Sequence, residues 1–287
     1  MKVTKLIVSV WIAFWGIAAL ASPPGCEGGP LGVASPFNLF VLGDVHHANT
    51  DTEGRVAAGG NAYFDHYSIG EKVYPEISCP YSLVVGGNLE FTNGNVYGGP
   101  IAYGGWLGMS SYDSTAYDGA FQGQPIDFAA AATGLDSVSA SLSALAVNGK
   151  TAVGDKQITL TGSDATAVFS VDAADLSRVT FLRLEVQPGA VVVVKVNGNP
   201  ASLHDFGFDP GNATPGKTLF FFPQATSLSL THIGVPGTVF APLADVVFTS
   251  GAIHGQLIAH SLTGDGQLNL PLFGSCLARS GATKPSR

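Results

Sequence analysis

The rhythm of apolar and polar positions changes along the chain. From Pro36 onward, apolar runs of four to six residues are punctuated by Gly, Asn and Asp, the pattern of short strands joined by tight turns. Some runs echo one another. Val56-Ala57-Ala58-Gly59-Gly60-Asn61-Ala62 returns 27 residues later as Leu83-Val84-Val85-Gly86-Gly87-Asn88-Leu89, and Ile101-Ala102-Tyr103-Gly104-Gly105 follows at a shorter interval. Near the C-terminus, Val239-Phe240-Ala241 returns 18 residues on as Leu257-Ile258-Ala259. Irregular repeats of this length predict the coils of a β-solenoid, because one coil cannot bury its apolar side alone whereas stacked coils share a core. Glycine at the corners is expected to supply positive φ without a Cβ clash.

Between Ile126 and Val147 the spacing becomes helical. Phe128, Ala132, Leu135, Val138, Leu142 and Leu145 recur at gaps of three and four. Pro125 suits a first turn, Asp127 the positive end of the helix dipole, and Gly149 a left-handed cap. The pattern therefore predicts a helix over 126–147 with its apolar stripe laid against the strands. Strand patterns then resume. Leu182, Leu184 and Val186 alternate with Arg183 and Glu185, and Val191 to Val196 is almost all β-branched, as in a strand covered on both sides. The expected fold class is mainly β: a β-solenoid with one long α-helix packed alongside.

The ends read differently. Residues 1–21 hold Lys2 and Lys5, an apolar run and a closing Ala19-Leu20-Ala21, the layout of a secretory signal peptide. A Pro/Gly-rich leader over 22–35, a single solenoid domain over 36–276 and a loose polar tail over 277–287 complete the expected organisation. The net charge of −8 and the absence of a Lys/Arg stripe argue against a nucleic-acid partner. Charged residues are only 12%, and with 46% apolar residues the composition argues against disorder. After residue 21 no apolar run approaches the ~20 residues of a spanning helix. An exported chain with Cys26, Cys79 and Cys276 has one bridge to form and one thiol left over. Spacing does not settle the pairing. A Cys26–Cys276 bridge would close the longest loop, and Cys79 competes for either partner.

Candidate chemistry is sparse. Asp44-Val45-His46 follows an apolar run and resembles the opening of a dinuclear-metal site, but no matching ligands recur later, so a turn with solvated His46 and His47 is the expectation. Asn49-Thr50-Asp51-Thr52-Glu53-Gly54 has the opening spacing of a calcium loop, yet its twelfth position is Gly60. Asp44, His46, Asp51 and Glu53 are thus weak metal candidates, and no cofactor is implied. No Gly-x-Ser-x-Gly elbow occurs. Asp65, Glu90 and Asp113 are the acids an enzyme acting on polysaccharide would use if they converged in a groove. Tyr97, Tyr103, Trp106, Tyr112 and Tyr117 cluster in sequence, either to contact a partner or to cover the solenoid end.

Several segments together resemble the choice-of-anchor A family of bacterial exported proteins. They are Phe37-Asn38-Leu39-Phe40-Val41-Leu42-Gly43-Asp44, Glu53-Gly54-Arg55-Val56-Ala57-Ala58-Gly59-Gly60-Asn61, Val84-Val85-Gly86-Gly87-Asn88-Leu89 and Ile126-Asp127-Phe128. Phe222-Pro223-Gln224-Ala225-Thr226, Gly237-Thr238-Val239-Phe240-Ala241-Pro242 and Ile253-His254-Gly255-Gln256-Leu257-Ile258-Ala259 continue the series. The resemblance implies a surface-displayed, adhesin-like domain with no general catalytic activity and no site residues to carry over. The layout is also similar, more loosely, to β-solenoid ice-binding proteins. The chain departs from the family pattern in having no hydrophobic or sortase-type anchor after Cys276, and in Gly266-Gln267-Leu268-Asn269 where an acid followed by His is expected.

The expectation is a secreted or cell-surface, non-enzymatic structural or adhesive domain. Its partner would be an extracellular matrix, an envelope polymer, a protein or a further copy of the chain. An ice-binding protein and a polysaccharide-active enzyme are the alternatives. Ice binding would need a regular Thr, Ser or Ala array, of which Thr159/Thr161 and Ser227/Ser229/Thr231 are short runs.

Overall fold

Parallel strands, most of three to nine residues, stack coil upon coil in the computed structural model, which describes residues 29–73, 79–110 and 114–275. The expected signal peptide, the first half of the leader (22–28), Cys26, Cys276, Tyr112, Asp113 and the tail lie outside those residues. The echoing runs are neighbours in space: Val56, Ala57 and Ala58 pair in register with Leu83, Val84 and Val85, and Val239 to Ala241 with Leu257 to Ala259. The β-solenoid is therefore the observed architecture, and a 19-stranded sheet runs through it.

The order of the coils is not the order of the chain. From Phe37–Val41 the early coils step outward through Arg55–Ala58, Leu83–Val85, Ile101–Tyr103 and Ala120–Gln122. The chain then forms the helix and resumes with Thr166–Asp172. The later coils step back through Val191–Asn197, Thr218–Phe221, 238–241 and 257–259. The last of these pairs with the first strand, Leu39 beside Leu257. Two half-solenoids thus meet mid-stack. Two buried amides stitch the junction. Gln256 Nε2 donates to the carbonyls of Ala34, Ser35 and Phe37, and its Oε1 accepts from Phe273 N. Asn38 Nδ2 donates to the carbonyls of Gly255 and Asn269, and its Oδ1 accepts from Gly54 N. Buried polar groups are tolerated there because their hydrogen bonds are made.

Strands on this side are buried on both faces. Leu39 and Val41 point into the solenoid core, whereas Phe40, Ala57, Val84, Val193, Phe221, Phe240 and Ile258 join a second cluster with the helix. The helix spans Phe128–Ser143, and Asp127 caps it by accepting from Ala129 N and Ala130 N, both at 3.0 Å. Its buried residues are Ala131, Leu135 and Leu142, so Ala131 takes the place expected of Ala132.

The helix ends short of the expected 147, and Gly149 is not its cap. Lys195, itself buried, donates from Nζ to the carbonyls of Ser143 and Leu145 at 2.8 and 2.5 Å. A cation reaching the carboxyl end of a helix satisfies its orphan carbonyls and its dipole. Burial lowers the pKa of that lysine. Gly149 instead clears Phe169, whose ring would lie 2.1 Å from an added Cβ.

A four-stranded sheet of Lys150–Val153, Gln157–Gly162, Phe181–Val186 and Gly207–Asp209 covers the later coils, and its Ile158, Leu160, Leu182 and Leu184 enter the same solenoid core. Leu182, Leu184 and Val186 are buried between exposed Arg183 and Glu185, as the alternation predicts. No helix among the described residues is long and apolar enough to cross a membrane.

Candidate functional site

The side of the solenoid next to the helix side is open to solvent and crosses the junction between the two halves. Strand register places its outward residues in one rank: Ser202, Ser229, Val247, Thr263, His46, Tyr63, Glu90 and Gly108. Parallel strands lie ~4.8 Å apart, so consecutive members of the rank are that far apart. The rank divides at the junction. The later coils contribute small side chains, with Ser227, Thr231, Thr249 and Ser261 beside the rank, and the hydroxyls of Thr231 and Thr249 lie 3.2 Å apart. The early coils contribute aromatic and charged groups. His46 and Tyr63 stack with ring centroids 4.5 Å apart and planes 8° from parallel. Trp106 is 53% exposed, and its ring lies where a Cβ on Gly108 would be, at 2.4 Å. Glycine at 108 thus lets the indole fill the end of the rank.

A polar ladder flanks the aromatic half. Asp44 Oδ1 accepts from Asn61 N at 2.6 Å, Asn61 Oδ1 from Asn88 N at 3.0 Å, and Asn88 Oδ1 from Trp106 N at 3.0 Å. This accounts for the Gly-Gly-Asn repeats and corrects the expected role of their glycines, for which no positive φ is found at Gly59, Gly60, Gly86 or Gly87. A Cβ on Gly60 would lie 2.1 Å from Asp44 Oδ1, and one on Gly87 2.7 Å from Asn61 Oδ1. These glycines provide clearance between coils. Positive φ is supplied by other glycines, as expected, among them Gly70, Gly98, Gly119 and Gly198, and also by Asn49, His66, Asn93, Asp205, His232 and Ser250.

Of the acids expected for sugar cleavage, the two among the described residues, Asp65 and Glu90, do not pair. Asp65 and Glu90 project from adjacent strands, where Asp65 stands opposite Thr92 and Glu90 opposite Tyr63. Hydrogen bonds from Asn93, Thr92 and His66 hold the Asp65 carboxyl down at about 2, so it stays ionised and is unsuited to act as a general acid near neutral pH. Asn49 to Thr52 lies within the strand Val45–Thr52, not in a calcium loop. Asp51 accepts from Gln267 Nε2, and Glu53 pairs with Lys72 while accepting from Leu270 N. Asp44 belongs to the ladder and His46 to the ring stack.

His47 is not solvated as expected. It is fully buried, its Nδ1 lies 3.0 Å from the Tyr67 hydroxyl, and burial pushes its pKa down to about 3. Burial likewise raises the Tyr67 pKa, against its hydrogen bond with Thr52. The aromatics adjacent in sequence are dispersed in space. Tyr103 packs against the core, whereas Tyr97 and Tyr117 stack on each other with centroids 4.9 Å apart. Cys79 is fully buried in the helix-side cluster.

Tyr63, Asp245 and His260 escaped the sequence reading. His260 Nδ1 lies 2.8 Å from Asp245 Oδ1, and hydrogen bonds from Ser261 and His260 lower the Asp245 pKa. Tyr63 was findable, because Leu42-Gly43-Asp44 aligns with Gly59-Gly60-Asn61 and that alignment carries His46 onto Tyr63.

Residues 30–270 match a protein family described as "Putative Ice-binding-like adhesive domain". The chain belongs to this ice-binding-like adhesive family. The match covers the helix, both half-solenoids and their junction. The family is described by adhesion and likeness to ice-binding domains. Among solved structures, an ice-binding protein from the Antarctic ascomycete Antarctomyces psychrotrophicus aligns with a TM-score of 0.37 and 14% identity, over 84% of this chain and 97% of that one. No curated protein matches the sequence.

Proposed function

We propose that this member of the ice-binding-like adhesive family is an exported, non-enzymatic adhesion module that holds an extended extracellular polymer against its open, ranked side. The observation that carries the reading is the row formed by the Trp106 indole, Glu90, Tyr63 and His46 at fixed strand spacing. Flat aromatic faces stack on sugar rings, and flanking carboxylate and amide groups take hydroxyl hydrogen bonds. A stiff solenoid presents these groups already ordered, which reduces the entropy lost on binding. Residues 1–21 would direct export. The bridge expected from three cysteines would run through Cys79, which is buried.

Ice binding is the second reading, and a separate observation favours it. Ser227, Ser229, Thr231, Val247, Thr249, Ser261 and Thr263 form a patch of small side chains on three adjacent strands, interrupted by Asp245 between Ser227 and Ser261. Co-sedimentation of the full chain with insoluble polysaccharides, together with thermal hysteresis, separates the two. Adhesion through the aromatic half predicts retention on polymer that Trp106→Ala and Tyr63→Ala abolish. Hysteresis lost on Val247→Tyr but kept in Trp106→Ala, without polymer retention, would replace the adhesion reading by the ice-binding one.

A further inference from the structure

At the edge of the open side, His204 ends the strand Ala201–His204, and Asp205 and His232 occupy stacked corners of consecutive coils. Both corner residues hold positive φ, 48° at Asp205 and 51° at His232. The Asp205 carboxylate faces both rings, with Oδ2 2.8 Å from His204 Nδ1 and Oδ1 3.1 Å from His232 Nδ1. One donor atom from each of the three residues lies within 4.8 Å of the others.

We propose that His204, Asp205 and His232 form a binding site for a divalent transition-metal ion of the zinc class. A tetrahedral zinc ion sits ~2.0–2.2 Å from nitrogen and oxygen donors, which places neighbouring donors roughly 3.3–3.6 Å apart. The two nitrogen–carboxylate separations, each to a different carboxylate oxygen, are hydrogen-bond distances a few tenths of an ångström below that spacing, and small rotations of the exposed side chains open them to it. The remaining His–His separation closes by rotation of exposed rings, whose centroids are 5.8 Å apart in an edge-on arrangement. Two imidazoles and one carboxylate favour Zn2+, Cu2+ or Ni2+ over the oxygen-seeking Ca2+ and Mg2+. Three protein donors leave coordination positions open. Because His232 and the His204-Asp205 pair come from different coils, a bound ion would also staple those coils together.

Titration calorimetry of zinc chloride into the full, untagged chain near neutral pH tests the site. One ion per chain is expected, weakened about tenfold or more in His204→Ala and in His232→Ala, and unchanged in His46→Ala and His260→Ala. Asp205→Asn keeps a residue that tolerates the left-handed backbone and is expected to weaken binding too. The three side chains are 61%, 62% and 58% exposed, so the variants are expected to fold. Zinc should raise the melting temperature of the unaltered chain and not that of the His204→Ala/His232→Ala double variant. No saturable zinc binding, equal binding by that double variant, or a preference for Ca2+ would overturn the proposal.

Discussion

Protonation of His47 supplies the sharpest test of the solenoid interior. In the folded chain Nδ1 shares a hydrogen bond with the Tyr67 hydroxyl, while Nε2 is buried with no hydrogen-bond partner among the described residues. A protonated imidazole needs acceptors for both N–H groups, and here one would lack it. Burial therefore holds the pKa at about 3 against an ordinary 6.5, with the charge of Asp265 offsetting only part. A histidine pKa depressed by folding means that the unfolded chain binds more protons between those values. Stability is thus complete above pH 6.5 and falls as the pH drops through 6.5 towards 3. Integrating the linkage from about pH 8 to about pH 5 gives a loss of ~2 kcal/mol. That figure hardly changes for any folded value below about 4. Asp65 and Asp245, whose pKa values are lowered from 3.8, titrate below this window. Guanidinium unfolding followed by circular dichroism at the two pH values, on the unaltered chain and on His47→Leu, provides the measurement. The variant keeps the Thr52–Tyr67 hydrogen bond and should lose ~2 kcal/mol less than the parent on acidification. Equal acid sensitivity of the two chains would refute the reasoning, whatever their absolute stabilities.

Two further perturbations test the packing. A Cβ at Gly86 would lie 2.3 Å from the Gly59 carbonyl of the preceding coil, whereas nothing lies within 4 Å of one at Gly234. Gly86→Ala should cost about 1–3 kcal/mol, and Gly234→Ala should be neutral or slightly stabilising, when compared by chemical denaturation. Lys195→Met removes the two hydrogen bonds at the helix end and should cost about 1–3 kcal/mol, with faster amide hydrogen exchange in the last turn of the helix.

Much of the architecture was legible because its signals are local and periodic. The Val56 and Leu83 runs matched in sequence because residues that stack on one another face the same core, and the 3.6-residue spacing after Phe128 marked the long helix. What determined the end of that helix was not local. The cation at its carboxyl terminus is Lys195, which Leu145 meets only through the fold. The two adjacent histidines show the same division. A strand alternates its faces, so His46 and His47 had to point oppositely once the strand was known, but which of them entered the core was set by register with Tyr63 and Phe64.

The sequence by itself determined that the chain would coil into stacked strands with a helix alongside, since the short apolar runs, their recurrence and the helical spacing can each be read along the chain. The tertiary structure decided that the first and last coils meet in the middle, as Leu39 beside Leu257, and that His46, Tyr63 and Trp106 share one rank while His204, Asp205 and His232 share one corner. Those groupings arise from how one coil is set on the next. Contacts between coils join residues far apart in the chain, and no local pattern encodes the order in which the coils stack.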